Sequence, residues 1–115
     1  MLSKKFNKIA SKGAAALGLF FAAFSAQAFD ADAAQALAKK NNCFKCHSVD
    51  KKKDGPPFKE TAGKLKGKPD AVAQLSKHLT SAIKVKLPDG TEEEHKALKA
   101  KDAEVKNLAE WILAQ

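Results

Sequence analysis

The chain has 115 residues, 21 lysines and no arginine, 13 acidic residues and a formal charge of +8. That length allows one small domain. With no arginine, no tyrosine and no helix that gathers basic residues on one face, nucleic acid is a poor match as partner.

Residues 1–12 carry Lys4, Lys5, Lys8 and Lys12 without an acid. The uncharged run Gly13–Phe24 follows, and then Ser25-Ala26-Gln27-Ala28, a small-x-small pattern suited to a signal peptidase. The apolar run falls short of the roughly 20 residues that a bilayer span needs. Residues 1–28 are therefore expected to be a secretory signal removed after Ala28, with no stable membrane insertion afterwards; a retained anchor is the other reading. Residues 29–115 then form the domain. Its 87 residues hold 17 lysines against 13 acids, a surplus that suits acidic protein partners or plain solubility. Its apolar residues are mostly Ala, Leu and Val, with Phe29, Phe44, Phe58 and Trp111. So thin a core in so short a chain usually leans on a disulfide, a metal or a cofactor.

The expected elements are helices and turns, with no convincing strand. Asp30 and Asp32 precede Ala33–Lys40, an alanine-rich helix with acids at its start and lysines at its end, as the helix dipole favours. After the cysteine segment, Lys51–Pro57 reads as a charged turn, and Phe58–Leu65 as a short helix broken by Gly67-Lys68-Pro69. Asp70 is expected to cap a helix from Ala71 to about Ala82, with Val72, Leu75 and Leu79 on one side. Leu87–Gly90 reads as a turn. Thr91-Glu92-Glu93-Glu94 has the form of a capping box that opens another short helix. The last helix is expected over Asp102–Leu113, with Val105, Leu108, Ala109 and Ile112 on one face.

The segment that carries chemistry is Cys43-Phe44-Lys45-Cys46-His47. Its spacing puts two thiols and an imidazole on one side of a helical turn. Both sulfurs can then add to the two vinyl groups of one haem while His47 ligates the iron, the attachment signature of c-type haem. Three other readings fit less well. A thioredoxin-like pair needs a βαβ context that the chain lacks. A zinc site needs four ligands, more than this crowded segment offers. A Cys43–Cys46 disulfide closes too small a loop to stabilise much.

Residues 30–115 resemble a bacterial class I cytochrome c. Beyond the cysteine segment, the likeness lies in Gly55-Pro56, in Phe58-Lys59-Glu60-Thr61-Ala62 through Lys66-Gly67-Lys68, and in Leu108-Ala109-Glu110-Trp111-Ile112-Leu113. The resemblance implies that the Pro56 carbonyl accepts a hydrogen bond from the free nitrogen of His47, fixing the ring and raising its basicity. It also implies a C-terminal helix packed across the N-terminal one.

The chain departs from the family at the sixth iron ligand, ordinarily a methionine about sixteen residues before the aromatic of the last helix. The only methionine is Met1, in the signal segment, and His95 stands at the matching position. His47/His95 coordination is the preferred expectation. His78, near the Leu75/Leu79 stripe, is a second candidate and could instead hold a haem propionate; an open or water-bound iron is the third.

The resemblance thus implies an all-α, class I cytochrome c-like domain of four or five short helices around one covalent haem c. It implies a soluble, monomeric, non-enzymatic electron carrier of the periplasm that meets redox proteins. The alternatives are a gas-binding or sensing haem protein with an open or displaceable sixth site, and a fixed subunit of a larger oxidoreductase. Histidine in place of methionine implies a low potential. Lys45 and Lys51–Lys53 flank the attachment segment and form either a docking ring for an acidic partner or an ordinary solvated surface.

Overall fold

The computed structural model describes Gly18 and residues 29–115. The expected signal segment and its cleavage site after Ala28 lie, Gly18 apart, outside the described residues.

Among the described residues four helices make the frame: α1 (Ala31–Lys40), α2 (Phe58–Leu65), α3 (Ala71–Thr80) and α4 (Asp102–Leu113). The all-α expectation holds for this frame, and α1, α2 and α3 all pack on α4. α1 begins two residues earlier than expected because Asp30 caps it, accepting the Ala33 N–H at 3.0 Å. Its inner face is Ala34 and Ala38, with almost no exposure, and the equally buried Ala109 lies on α4. Small side chains here let the terminal helices approach closely. Asn107 locks the crossing: the Asp30 N–H donates to its Oδ1 at 2.7 Å, and its Nδ2 donates to the Asp30 carbonyl at 2.9 Å. The start of α4 is capped from within, as the Glu104 carboxylate accepts the Lys101 backbone N–H at 2.9 Å.

α2 starts directly after Pro56-Pro57. Its first two backbone N–H groups, of Phe58 and Lys59, donate to the carbonyls of Ser48 and Val49 at 2.9 and 3.0 Å. The unpaired N–H groups of a helix start thereby fasten α2 to the loop that follows His47. α3 buries Leu75 and Leu79, and it ends at Thr80 rather than near Ala82. The Asp70 side chain does not cap it; that carboxylate instead accepts from Gln74 Nε2 at 2.8 Å.

Two expectations are corrected between α3 and α4. A small antiparallel hairpin is present, β1 (Lys84–Lys86) and β2 (Glu92–Glu94), where no strand was expected. The Thr91–Glu94 segment does not open a helix. Its threonine is consumed by the turn, since both the backbone N–H and the hydroxyl of Thr91 donate to Asp89 Oδ1, at 2.9 and 2.6 Å. Gly90 takes a φ of +89°, which glycine adopts without strain. The glutamates then face lysines across the ladder, Lys84 opposite Glu94 and Lys86 opposite Glu92. Opposite-charge cross-strand pairs favour this pairing over a helix that would stack three glutamates together. His95 prolongs the ladder, its N–H donating to the Ile83 carbonyl at 2.6 Å, and Leu98 then anchors the chain to the end of α3 through the Leu79 carbonyl at 2.7 Å.

The buried core joins Phe58, Leu75, Leu79, Leu98, Val105, Leu108, Trp111 and Ile112 to the small α1 residues. Phe44, Phe58 and Trp111 meet edge to face with ring centroids 5.6–6.4 Å apart. Among the described residues no helix is long and apolar enough to cross a membrane.

Beside this core lies a cavity of about 690 Å³ with mainly apolar walls. A domain of this size with a space that large in its middle depends on what fills it. A Cys43→Ala/Cys46→Ala double variant, unable to carry a group on those thiols, is expected to be largely unfolded by circular dichroism. A cooperative, native-like melt of that variant would contradict this.

Candidate functional site

The cavity is walled by the cysteine segment, α2, the α3 face that carries Leu75, His78 and Leu79, and the hairpin with His95. The cysteine segment is one tight turn. Cys43–Lys45 form a 3₁₀ helix, and the Cys43 carbonyl accepts the N–H groups of Cys46 at 3.3 Å and His47 at 3.0 Å. Asn42 enters it at φ +60°, a left-handed conformation that asparagine tolerates better than most residues. Both thiols are half-buried and unpaired, and both line the cavity.

His47 is held from three sides. Its Nδ1 donates to the Pro56 carbonyl at 2.8 Å, which leaves the Nε2 lone pair free. Phe58 stacks on the ring, with centroids 5.3 Å apart and planes inclined by 21°. The Gly55 backbone closes over it, tied down by its N–H donating to the Cys46 carbonyl at 2.7 Å. A Cβ on Gly55 would lie 2.5 Å from His47 Cε1 and 2.8 Å from Nδ1, so the close approach requires glycine.

The centroid of His95 lies 6.4 Å from that of His47. A metal bound by an imidazole sits roughly 2 Å from its nitrogen, and that nitrogen about 1 Å from the ring centre, so two rings sharing one metal have centroids about 6 Å apart. His95 Nδ1 is buried without a hydrogen-bond partner, the only such side-chain atom among the described residues. Ligation through Nε2, the nitrogen that His47 also keeps free, leaves this Nδ1 as the one in need of a partner.

Burial pushes the His95 imidazole below its usual range, aided by the neighbouring charges of His78 and His47 and opposed by a backbone bond at Lys96. Burial, with His47, does the same to His78. The neutral ring is the form that ligates iron, and both environments favour it. Burial pushes the Cys43 thiol up. A raised thiol is the opposite of the activated thiolate that a dithiol redox enzyme requires.

Cys43, Cys46, His47 and His95 thus border one cavity, and Pro56 contacts His47. His78 borders the cavity too, its centroid 4.8 Å from that of His95. The flanking Lys45 and Lys51–Lys53 are all exposed, and Lys53 Nζ also donates to the Phe44 carbonyl at 2.7 Å. The steric demand at Gly55, the stacking of Phe58 and the Asn107 clamp escape sequence reasoning, because each depends on contacts between distant segments. Among the described residues no three His, Cys, Asp or Glu side chains converge to hold a bare metal ion. Two thiols on one wall and two facing imidazoles, around a mainly apolar space within the range of about 300–1,000 Å³ usual for cofactors, fit a haem.

Comparison with known proteins agrees with this fit. The profile of the cytochrome c family matches residues 31–115. The chain is 37% identical over 100 residues to cytochrome c-552 of Nitrosomonas europaea, covering 84% of this chain and 92% of that protein. It is 28% identical over 95 residues to cytochrome c-551 of Pseudomonas aeruginosa, covering 78% and 84%. Among solved structures it is similar to the class 1 cytochrome MtoD of Sideroxydans lithotrophicus ES-1, with a TM-score of 0.73, 57% identity and coverage of 76% of this chain and 97% of that one.

Gly55→Ala is expected to force His47 off the Pro56 carbonyl and to cost about 1–3 kcal/mol in urea unfolding, as overpacking does. Gly63→Ala, where a Cβ meets nothing within 4 Å, is expected to be neutral or to stabilise by up to about 1 kcal/mol. Equal effects of the two substitutions would contradict the steric role of Gly55.

Proposed function

The chain belongs to the cytochrome c family and carries one covalently bound haem c, and from that premise we propose that it is an exported single-electron carrier with two histidine ligands to its iron. Electron transfer with redox partners is the work of a c-type haem protein of this kind, and the iron supplies the one-electron chemistry. The finer reading rests chiefly on the 6.4 Å separation of the His47 and His95 rings across the cavity.

In this reading Cys43 and Cys46 hold the haem through thioethers, and His47 is the proximal ligand. Pro56, by accepting the Nδ1 hydrogen, fixes the tautomer and orientation of His47 and raises its basicity. His95 is the distal ligand, presented by the hairpin rather than by a helix. Two imidazoles on the iron would keep its coordination the same in both oxidation states, which suits an electron carrier rather than an enzyme. Without methionine sulfur as a ligand, the potential lies below that of methionine-ligated relatives.

Residues 1–28 are proposed to direct export, with cleavage after Ala28 releasing a soluble monomer of residues 29–115 into the periplasm. The exposed Lys45 and Lys51–Lys53 beside the attachment turn are proposed to steer acidic redox partners to that edge.

His95→Ala is expected to turn the low-spin holoprotein high-spin and to let carbon monoxide bind readily, where the wild type binds it slowly. Optical spectra and stopped-flow binding check this. A low-spin spectrum that survives His95→Ala would exclude His95 as ligand, and a wild type that is already high-spin would favour a gas-binding protein.

A further inference from the structure

We propose that His78 positions the distal imidazole by accepting the Nδ1 hydrogen of His95, an inference that rests on the reading of His47 and His95 as the iron ligands. A metal-ligating histidine almost always donates its second ring N–H to a nearby acceptor, which sets the tautomer and the basicity of the ligating nitrogen. His47 does so through Pro56, at 2.8 Å. The His95 ring meets backbone at Lys96, yet its buried Nδ1 has no partner, and an unpaired donor there is costly.

His78 is the ring that lies against it, with centroids 4.8 Å apart and planes tilted by 57°. Two imidazoles sharing an N–H···N bond of about 3 Å have centroids no more than about 5 Å apart. The pair is therefore within bonding distance once a ring turns about its own axis, with no movement of backbone. The backbones are already tied together. Leu79, next to His78, is buried and accepts the Leu98 N–H, while His95 is held to Ile83 through its own N–H. His78 also lies in the last turn of α3, on the cavity wall, so that its ring is available to a neighbour in the cavity rather than committed to the core.

In this arrangement His78 touches the ligand and not the iron. Acceptance of the Nδ1 hydrogen makes His95 a stronger donor, which favours the ferric state and lowers the potential. It also holds the ring in place, which slows displacement by an added ligand.

The test uses the intact holoprotein labelled with ¹⁵N-histidine. In the reduced, diamagnetic form, the Nδ1 proton of His95 should exchange slowly and show coupling across the bond to a ring nitrogen of His78. His78→Phe should remain low-spin, lose that slow exchange, shift to higher potential and bind carbon monoxide faster. His78→Gln, whose amide oxygen can accept the same hydrogen, should recover part of each change. Unchanged potential and unchanged exchange in His78→Phe would overturn the proposal. So would a high-spin His78→Phe protein, which would make His78 itself the ligand. If neither variant folds, absence of the coupling in the wild type overturns it. His95→Ala, measured alongside, reports on the coordination alone: a low-spin spectrum there would overturn the underlying reading whatever His78 does.

Discussion

The grip on the His47 ring sets the terms for the rest of the molecule. Its Nδ1 hydrogen goes to Pro56, its face to Phe58, and its edge lies against the bare Cα of Gly55. To satisfy all three, the ten residues after His47 must fold back over it, and they must end in the two prolines that launch α2. The first N–H groups of α2 then bond the carbonyls of Ser48 and Val49, so that the loop and the helix fix one another. Phe58 has two roles in this, stacking on His47 and packing edge to face on Trp111 of α4. Through it the His47 imidazole is continuous with the core.

The rest of the frame around the cavity is built by different means. α4 serves as the common surface for the other three helices, and its crossing with α1 depends on alanines and on the Asn107–Asp30 pair rather than on large side chains. Among the described residues only Leu108 is both large and almost completely buried. A core so sparse leaves a cofactor-sized space, and the haem completes the buried apolar surface that the chain cannot supply. The hairpin closes that space. Its strands are three residues each and mostly exposed, so they add little burial. What they supply is register: Lys84 opposite Glu94 and Lys86 opposite Glu92 determine where His95 falls.

Much of this was legible in the residues. The Cys43–His47 spacing, the Gly55-Pro56 pair and the apolar faces of the helices are local patterns, and they lead to the family and to all four helices within two residues of their ends. The failures lie where the outcome depended on partners outside the window. Thr91–Glu94 has the letters of a capping box, but Asp89 takes the threonine and the lysines of β1 take the glutamates, an outcome visible only when both strands are considered together. Asp70 stands where a cap belongs, and Gln74 takes its carboxylate instead. Counting back from Trp111 picks out His95 but says nothing of the element beside it, a hairpin where the letters suggest a helix. Counting is insensitive to whether a hairpin or a helix occupies the interval.

The central claim is that one iron is held by two imidazoles. Pulsed electron paramagnetic resonance of the ferric holoprotein, grown with ¹⁵N-histidine, measures this in the unmodified protein. A low-spin signal with two strongly coupled histidine nitrogens is expected. A single coupled histidine nitrogen, or a high-spin signal, would contradict it.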